Sequence, residues 1–180
     1  MNPIVIDVEA SAFGRGSYPI EVGVAMPNHT THCYLIRPEN DWQRWDEESA
    51  SVHNLSRDTL IAHGRSVKEV ATELNNLLSG HKVYSDAWGF DSSWLALLFH
   101  RAGVQQEFRL QALNTLLEET DLVEWAKVRD DITCDLNLTR HRASADALIT
   151  QLTYLRLAHD DYELPEYGLL NLPEEDLCVI

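Results

Sequence analysis

Three short groups of residues carry carboxylates that could hold divalent cations. Asp7 and Glu9 stand two apart at the end of an apolar, β-branched run, Ile4-Val5-Ile6. Side chains two apart on a strand project from one face, so this pair can hold one divalent cation or bridge two. Asp91 closes the stretch Asp86-Ala87-Trp88-Gly89-Phe90-Asp91, between a strand-like segment and a helix-like one. Asp146 lies in the first turn of the last helical stretch, with His141 on the loop before it. Each group alone has a plainer reading. Acids at a strand end are commonly just solvated, a carboxylate at a helix start is favoured by the positive helix end, and a lone histidine near an aspartate is usually structural. Together they suit hard, oxygen-preferring cations such as Mg²⁺ or Mn²⁺, which keep several waters and need few protein ligands. Zinc would more often call for histidines or cysteines in numbers. Cys33, Cys134 and Cys178 are too widely spaced to form such a cluster or a disulfide framework.

The elements that must position these residues follow from local patterning. Pro3–Val8 reads as a strand covered on both faces. Ser11–Ser17 is a Gly/Ser turn, and Ile20–Met26 and His32–Ile36 form a hairpin around Pro27-Asn28-His29. Pro38–Ser51 is polar and acidic, with Trp42 and Trp45 embedded in it as packing residues. Ser56 opens a short helix as N-cap, and Ser66 opens a longer one that Gly80 ends. Lys82–Ser85 is a strand, Asp86–Phe90 a loop, and Asp91–Arg101 a helix. Phe108–Ala112 is a strand, Leu113–Val128 a helix, and Ala143–Ala158 the last long helix. The pattern predicts an α/β chain with a mixed sheet and an antiparallel edge hairpin.

The three groups, in this order, resemble a known family. Ile4-Val5-Ile6-Asp7-Val8-Glu9, Gly89-Phe90-Asp91 and His141-Arg142-Ala143-Ser144-Ala145-Asp146 are similar to the motifs of DnaQ-like 3′–5′ exonucleases. These belong to the DEDD superfamily, here in its histidine-containing (DEDDh) branch. Softer matches are Pro19-Ile20-Glu21-Val22-Gly23 and Val52-His53-Asn54-Leu55-Ser56. The resemblance covers about residues 4 to 158. It implies an RNase H-like fold: a five-stranded mixed sheet flanked by helices. It implies two divalent ions, Mg²⁺ or Mn²⁺, held by Asp7, Glu9, Asp91 and Asp146. It also implies His141 as the base that orients or deprotonates the attacking water, a role that imidazoles commonly fill. The implied partner is a nucleic-acid 3′ end, RNA or DNA, with RNA slightly preferred because the chain is compact and carries no polymerase or helicase segment. Relatives of this kind are often homodimers, so a homodimer is an expectation. A DNA proofreading or repair exonuclease of the same mechanism is the alternative. A non-catalytic RNase H-like module that binds a protein is another, and the intact set of five residues argues against it.

The chain departs from the family pattern at two places near the site. Ala10-Ser11-Ala12-Phe13 stands where many members have two threonines and a glycine, and Asp86-Ala87 where many have His-Asn. Asp86 thus rivals Asp91; Asp91 is preferred because it follows an aromatic and leads into Trp94-Leu95, the buried side of its helix. Expected substrate contacts are Ala10, Phe13, Trp88 and Arg142. Phe13 and Trp88 are candidates to stack on the terminal base, whereas Phe90 is expected to pack in the core. Arg140 and Arg142 flank His141 and are candidate phosphate contacts, and Glu21 is expected to be structural.

Charge limits the partners. Twenty-nine acids against fourteen bases give a net charge of −15. A surface so acidic excludes broad electrostatic binding of nucleic acid, but not an enzyme that grips a short piece of strand. The longest apolar run, Trp94–Phe99, is far short of the roughly 20 residues a membrane span needs. The start of the chain reads directly into a strand, not a signal peptide, so no membrane partner and a cytoplasmic location are expected. Residues 1–160 are read as the exonuclease domain and 161–180 as an acidic C-terminal tail.

Overall fold

A computed structural model describes residues 2–136, 138, 140–159 and 161–164. Five strands form one mixed sheet: β1 (Ile4–Ala10), β2 (Pro19–Ala25), β3 (Thr31–Leu35), β4 (Lys82–Ser85) and β5 (Arg109–Ala112). They lie side by side in the order β3-β2-β1-β4-β5. β1 pairs antiparallel with β2 and parallel with β4, so it is central and flanked on both edges. The helices among the described residues are α1 (Glu47–His53), α2 (Arg57–His63), α3 (Val67–Leu78), α4 (Trp88–Ala102), α5 (Glu119–Leu136) and α6 (Ala143–Ala158).

The period of two along β1 divides the core. Ile4, Ile6 and Val8 pack on one face with residues of α3 and α4, including Val70, Leu74, Leu95 and Leu98. Val5 faces the other way, against Ile132 and Leu136 of α5 and Leu148 and Leu152 of α6. Asp7 and Glu9 share the parity of Val5 and therefore the face covered by α6. α3 carries the clearest local signal: Ser66 and Glu69 form a reciprocal capping box, and its apolar stripe is buried.

The structure departs from the patterning in three places. α1 forms inside the stretch read as polar loop, because Asp46 accepts the Ser49 N–H and caps it. α4 starts at Trp88 and not at Asp91, so Trp88, Gly89 and Phe90 belong to its first turn. The single helix expected over Leu113–Val128 is instead a 3₁₀ turn, Leu113–Leu116, followed by α5. Asp121 accepts the Glu118 N–H at that break and restarts the chain as a helix, which then runs on because Ile132 and Leu136 are buried. Trp42 and Trp45 pack as expected: Trp42 stacks on Tyr18 at 5.0 Å and Trp45 meets His53 edge-on at 6.0 Å. Of the expected acidic tail, residues 165–180 lie outside the described part, while Tyr162 and Leu164 pack against the α6 side of the core. Among the described residues no helix is long and apolar enough to cross a membrane.

Candidate active site

A cleft of about 600 Å³ opens where β1 ends, lined by Asp7, Glu9, Asp91, Asp146 and His141. Four elements bring these residues together. β1 supplies Asp7 and Glu9, opposite Gly23 and Glu21 of β2. Those two β2 positions receive the start of α6. A Cβ on Gly23 would overlap the backbone of Ala143 and Ser144, so only glycine lets α6 come this close. Glu21, fully buried, accepts the Ala143 N–H at 2.9 Å and the Arg142 guanidinium at 2.7 Å. It caps α6 from a neighbouring strand, in place of a side-chain cap from Arg142, which makes none. Asp146, in the first turn of α6, is thereby held over β1. Its carboxylate accepts the His141 N–H at 2.6 Å. His141 has φ 67, a left-handed conformation that a non-glycine residue adopts only when its surroundings fix it. Asp91 lies in the first turn of α4, almost wholly buried, and accepts the Ser85 hydroxyl at 2.5 Å.

Crowding of like charge marks the cluster. Burial pushes Glu9 up to about 8, helped by Asp146, Glu21 and Asp91. Burial pushes Asp91 up to about 7, against the Ser85 hydrogen bond and with help from Asp86. Asp7 is raised well above the usual carboxylate range by burial, then by Asp91, Glu9, Asp146 and Asp86. Burial also raises Asp146, opposed by the His141 N–H. Acids that resist ionising together in one cleft are stabilised by a shared cation. The donors fit one: apart from a single imidazole they are all oxygens, and Glu9, His141 and Asp146 each bring a donor atom within 4.8 Å of the others.

Of the expected substrate contacts, Ala10 and Phe13 line the cleft. Trp88 is 46% exposed and is not among the lining residues. Phe90, expected in the core, takes that place: it is 54% exposed and meets Phe13 edge-on at 5.6 Å and Trp94 at 5.8 Å. The earlier start of α4 turns Phe90 outward. Arg142, expected on a phosphate, has its guanidinium on Glu21, as the structural reading of Glu21 requires. Arg129, Arg140, Asp86 and His53 also line the cleft. Sequence reasoning missed Arg129 altogether. It lies on α5, outside every motif, and only the packing of that helix brings it to the cleft.

No family model matches the chain, and no curated protein does. Solved structures do. An exonuclease I superposes with a TM-score of 0.63 at 12% identity, over 85% of this chain and 40% of that one. E. coli exonuclease I in complex with a 5cy-dA13 oligonucleotide gives 0.61 at 10% identity, over 85% and 40%. A moderately thermophilic exonuclease I from Methylocaldum szegediense gives 0.61 at 11% identity, over 89% and 41%. The fold is therefore RNase H-like. The chain spans about two fifths of the length of these neighbours.

Proposed function

We propose that this chain is a metal-dependent 3′–5′ exonuclease that hydrolyses the phosphodiester bond at the 3′ end of single-stranded nucleic acid. The observation that carries the reading is the convergence of Asp7, Glu9, Asp91 and Asp146, with His141 at the rim, in one cleft of an RNase H-like fold. The likeness to exonuclease I supports it through the fold. Asp7, Glu9, Asp91 and Asp146 would hold two divalent ions, Mg²⁺ or Mn²⁺. When bound, such ions supply an acidified water and relief of charge on the leaving oxygen. His141 reaches solvent on its loop and takes the proton of the attacking water; its place five residues before Asp146 supports the DEDDh assignment. Ser85 keeps the Asp91 carboxylate in one rotamer through their hydrogen bond. Phe13 and Phe90 offer exposed ring faces on which a terminal base can stack.

The sugar is a separate matter. The exonuclease I complexes hold DNA, including dA13, dA16 and dT13 oligonucleotides, so the expected preference for RNA gains no support and DNA is the first substrate to offer. The test is direct: 5′-labelled single-stranded DNA and RNA are incubated with the protein in Mg²⁺, in Mn²⁺ and in EDTA. The expected result is a ladder shortening from the 3′ end, abolished by EDTA. Intact DNA and RNA under every metal condition would overturn the reading.

A further inference from the structure

Arg129, on α5, and Arg140, on the loop before α6, line the same cleft as the carboxylates. Each buries its Nε–H, and neither of these donors meets an acceptor. The salt bridges of the described residues engage Arg65, Arg101, Arg142 and Arg156 instead. Asp86 is close enough for both guanidinium charges to pull its pKa down against the desolvation that raises it, although its side chain reaches solvent through the cleft mouth. It forms a salt bridge with neither. Arg140 also acts on Asp146 through its charge, yet among the described residues neither arginine makes a salt bridge, and two cleft guanidiniums with an unmet Nε–H need a reason. A buried charged donor without an acceptor is costly, and such groups in native proteins are normally met by something. The planar fork of a guanidinium matches two oxygens of a phosphodiester.

We propose that Arg129 and Arg140 form a phosphate clamp, which holds one backbone phosphodiester of the single strand next to the carboxylate cluster. The proposal rests on the exonuclease reading for its substrate. It accounts for how so acidic a protein holds a polyanion: the positive charge is concentrated where one linkage must lie, and the rest of the surface repels the strand. Grip then depends on the last few nucleotides, and affinity levels off with length.

The experiment measures binding apart from hydrolysis. Wild-type protein, Arg129→Gln, Arg140→Gln and the double variant are titrated into 5′-fluorescein single-stranded DNA and RNA in Ca²⁺, with gels to check that the strand stays intact. Each substitution should raise Kd about tenfold, the worth of one charged hydrogen-bond pair. Each should also flatten the plot of log affinity against log salt by about 0.7, the share of one single-strand phosphate; a merely structural role leaves that slope alone. A neutral methylphosphonate is then walked through the last four linkages. At one position it should weaken wild type and leave the double variant unchanged. Equal Kd and equal salt slope in wild type and variants overturn the clamp while hydrolysis, and with it the exonuclease reading, stands. A clamp without hydrolysis in Mg²⁺ or Mn²⁺ keeps the clamp and removes the exonuclease. Failure of wild type to bind either strand removes both. If the Gln variants do not fold, Arg129→Lys and Arg140→Lys serve: they keep the charge and lose the fork, so Kd should rise while the salt slope holds, and an unchanged Kd overturns the clamp.

Discussion

Asp86 and Asp91 stand in one short stretch, yet their surroundings differ. Asp91 is buried in the first turn of α4, fixed by the Ser85 hydroxyl, and its charge is the foremost of those acting on Asp7. Asp86 follows β4 in the open part of the cleft, and its charge is the weakest of the four that act on Asp7. A preorganised ligand needs a locked side chain, which favours Asp91. Asp91→Asn is expected to remove nearly all activity, and Asp86→Asn to leave a measurable fraction, when both are assayed at saturating Mn²⁺. The reverse order would move the second-motif ligand to Asp86. Asp7→Ala should abolish hydrolysis and weaken metal binding with the fold intact. His141→Ala should keep the metal and lose about 10²–10⁴-fold in turnover, the usual worth of a positioned base. Calorimetric Mn²⁺ titration separates the two roles: a His141 variant that loses metal as fully as the Asp7 variant makes His141 a ligand, which its closeness to Glu9 and Asp146 allows.

At the scale of elements, the site depends on how closely α6 lies on β2. Gly23 admits the backbone of Ala143 and Ser144, and Glu21, on the same face, secures it through Ala143 and Arg142. Gly23→Ala forces α6 outward and carries Asp146 away from Asp7 and Glu9. Overpacking of this kind costs about 1–3 kcal/mol, and a displacement near 1 Å costs about 10²-fold in rate. The expected outcome is a lower Tm together with a large fall in kcat. Gly89→Ala is the control for stability: a Cβ there meets nothing within 4 Å, and alanine suits a helical position better than glycine. A Gly23→Ala protein with wild-type Tm and kcat would mean that α6 is not set by this contact.

For the whole molecule, the carboxylate cluster ties stability to pH and metal. Glu9 is raised to about 8 and Asp91 to about 7, against about 4 in an unfolded chain. The folded state therefore retains protons that the unfolded state has released. The stability linked to them is fully present below about pH 4 and is lost as pH rises through about 7 and 8. His53 works in the opposite sense at lower pH, because burial lowers its pKa and its contribution is complete by about pH 6.5. The cleanest window is thus pH 7 to 8.5. In EDTA, Tm is expected to fall across it; saturating Mn²⁺ should raise Tm, and by more at pH 8.5 than at 7, as the cation takes the place of protons. Scanning fluorimetry decides: a metal-free Tm that climbs over this range, or an Mn²⁺ increment that does not grow with pH, counts against a shared cluster.

Much of this was legible in the chain because it is written in local periods. Alternation along Ile4–Ala10 places Asp7 and Glu9 on one face, the Ser66-to-Glu69 box starts α3, and the spacing of apolar residues marks α6. Those patterns are enough for an α/β sheet and for the three acidic groups, because strand and helix geometry act over a few residues. What pairs across the sheet is not local. Glu21 meets Arg142 across 121 positions, so the arginine that looked free for phosphate is taken, while Arg129 and Arg140 are left open in the cleft. The start of α4 a turn earlier exchanges Phe90 for Trp88 at the cleft wall, and the closeness of Asp146 to β1 hangs on a missing Cβ at Gly23. Residue types and periods settle which side chains a strand or helix offers. Only the packing of one element on another decides which charges find partners, which are left facing the cleft, and how near the carboxylates come.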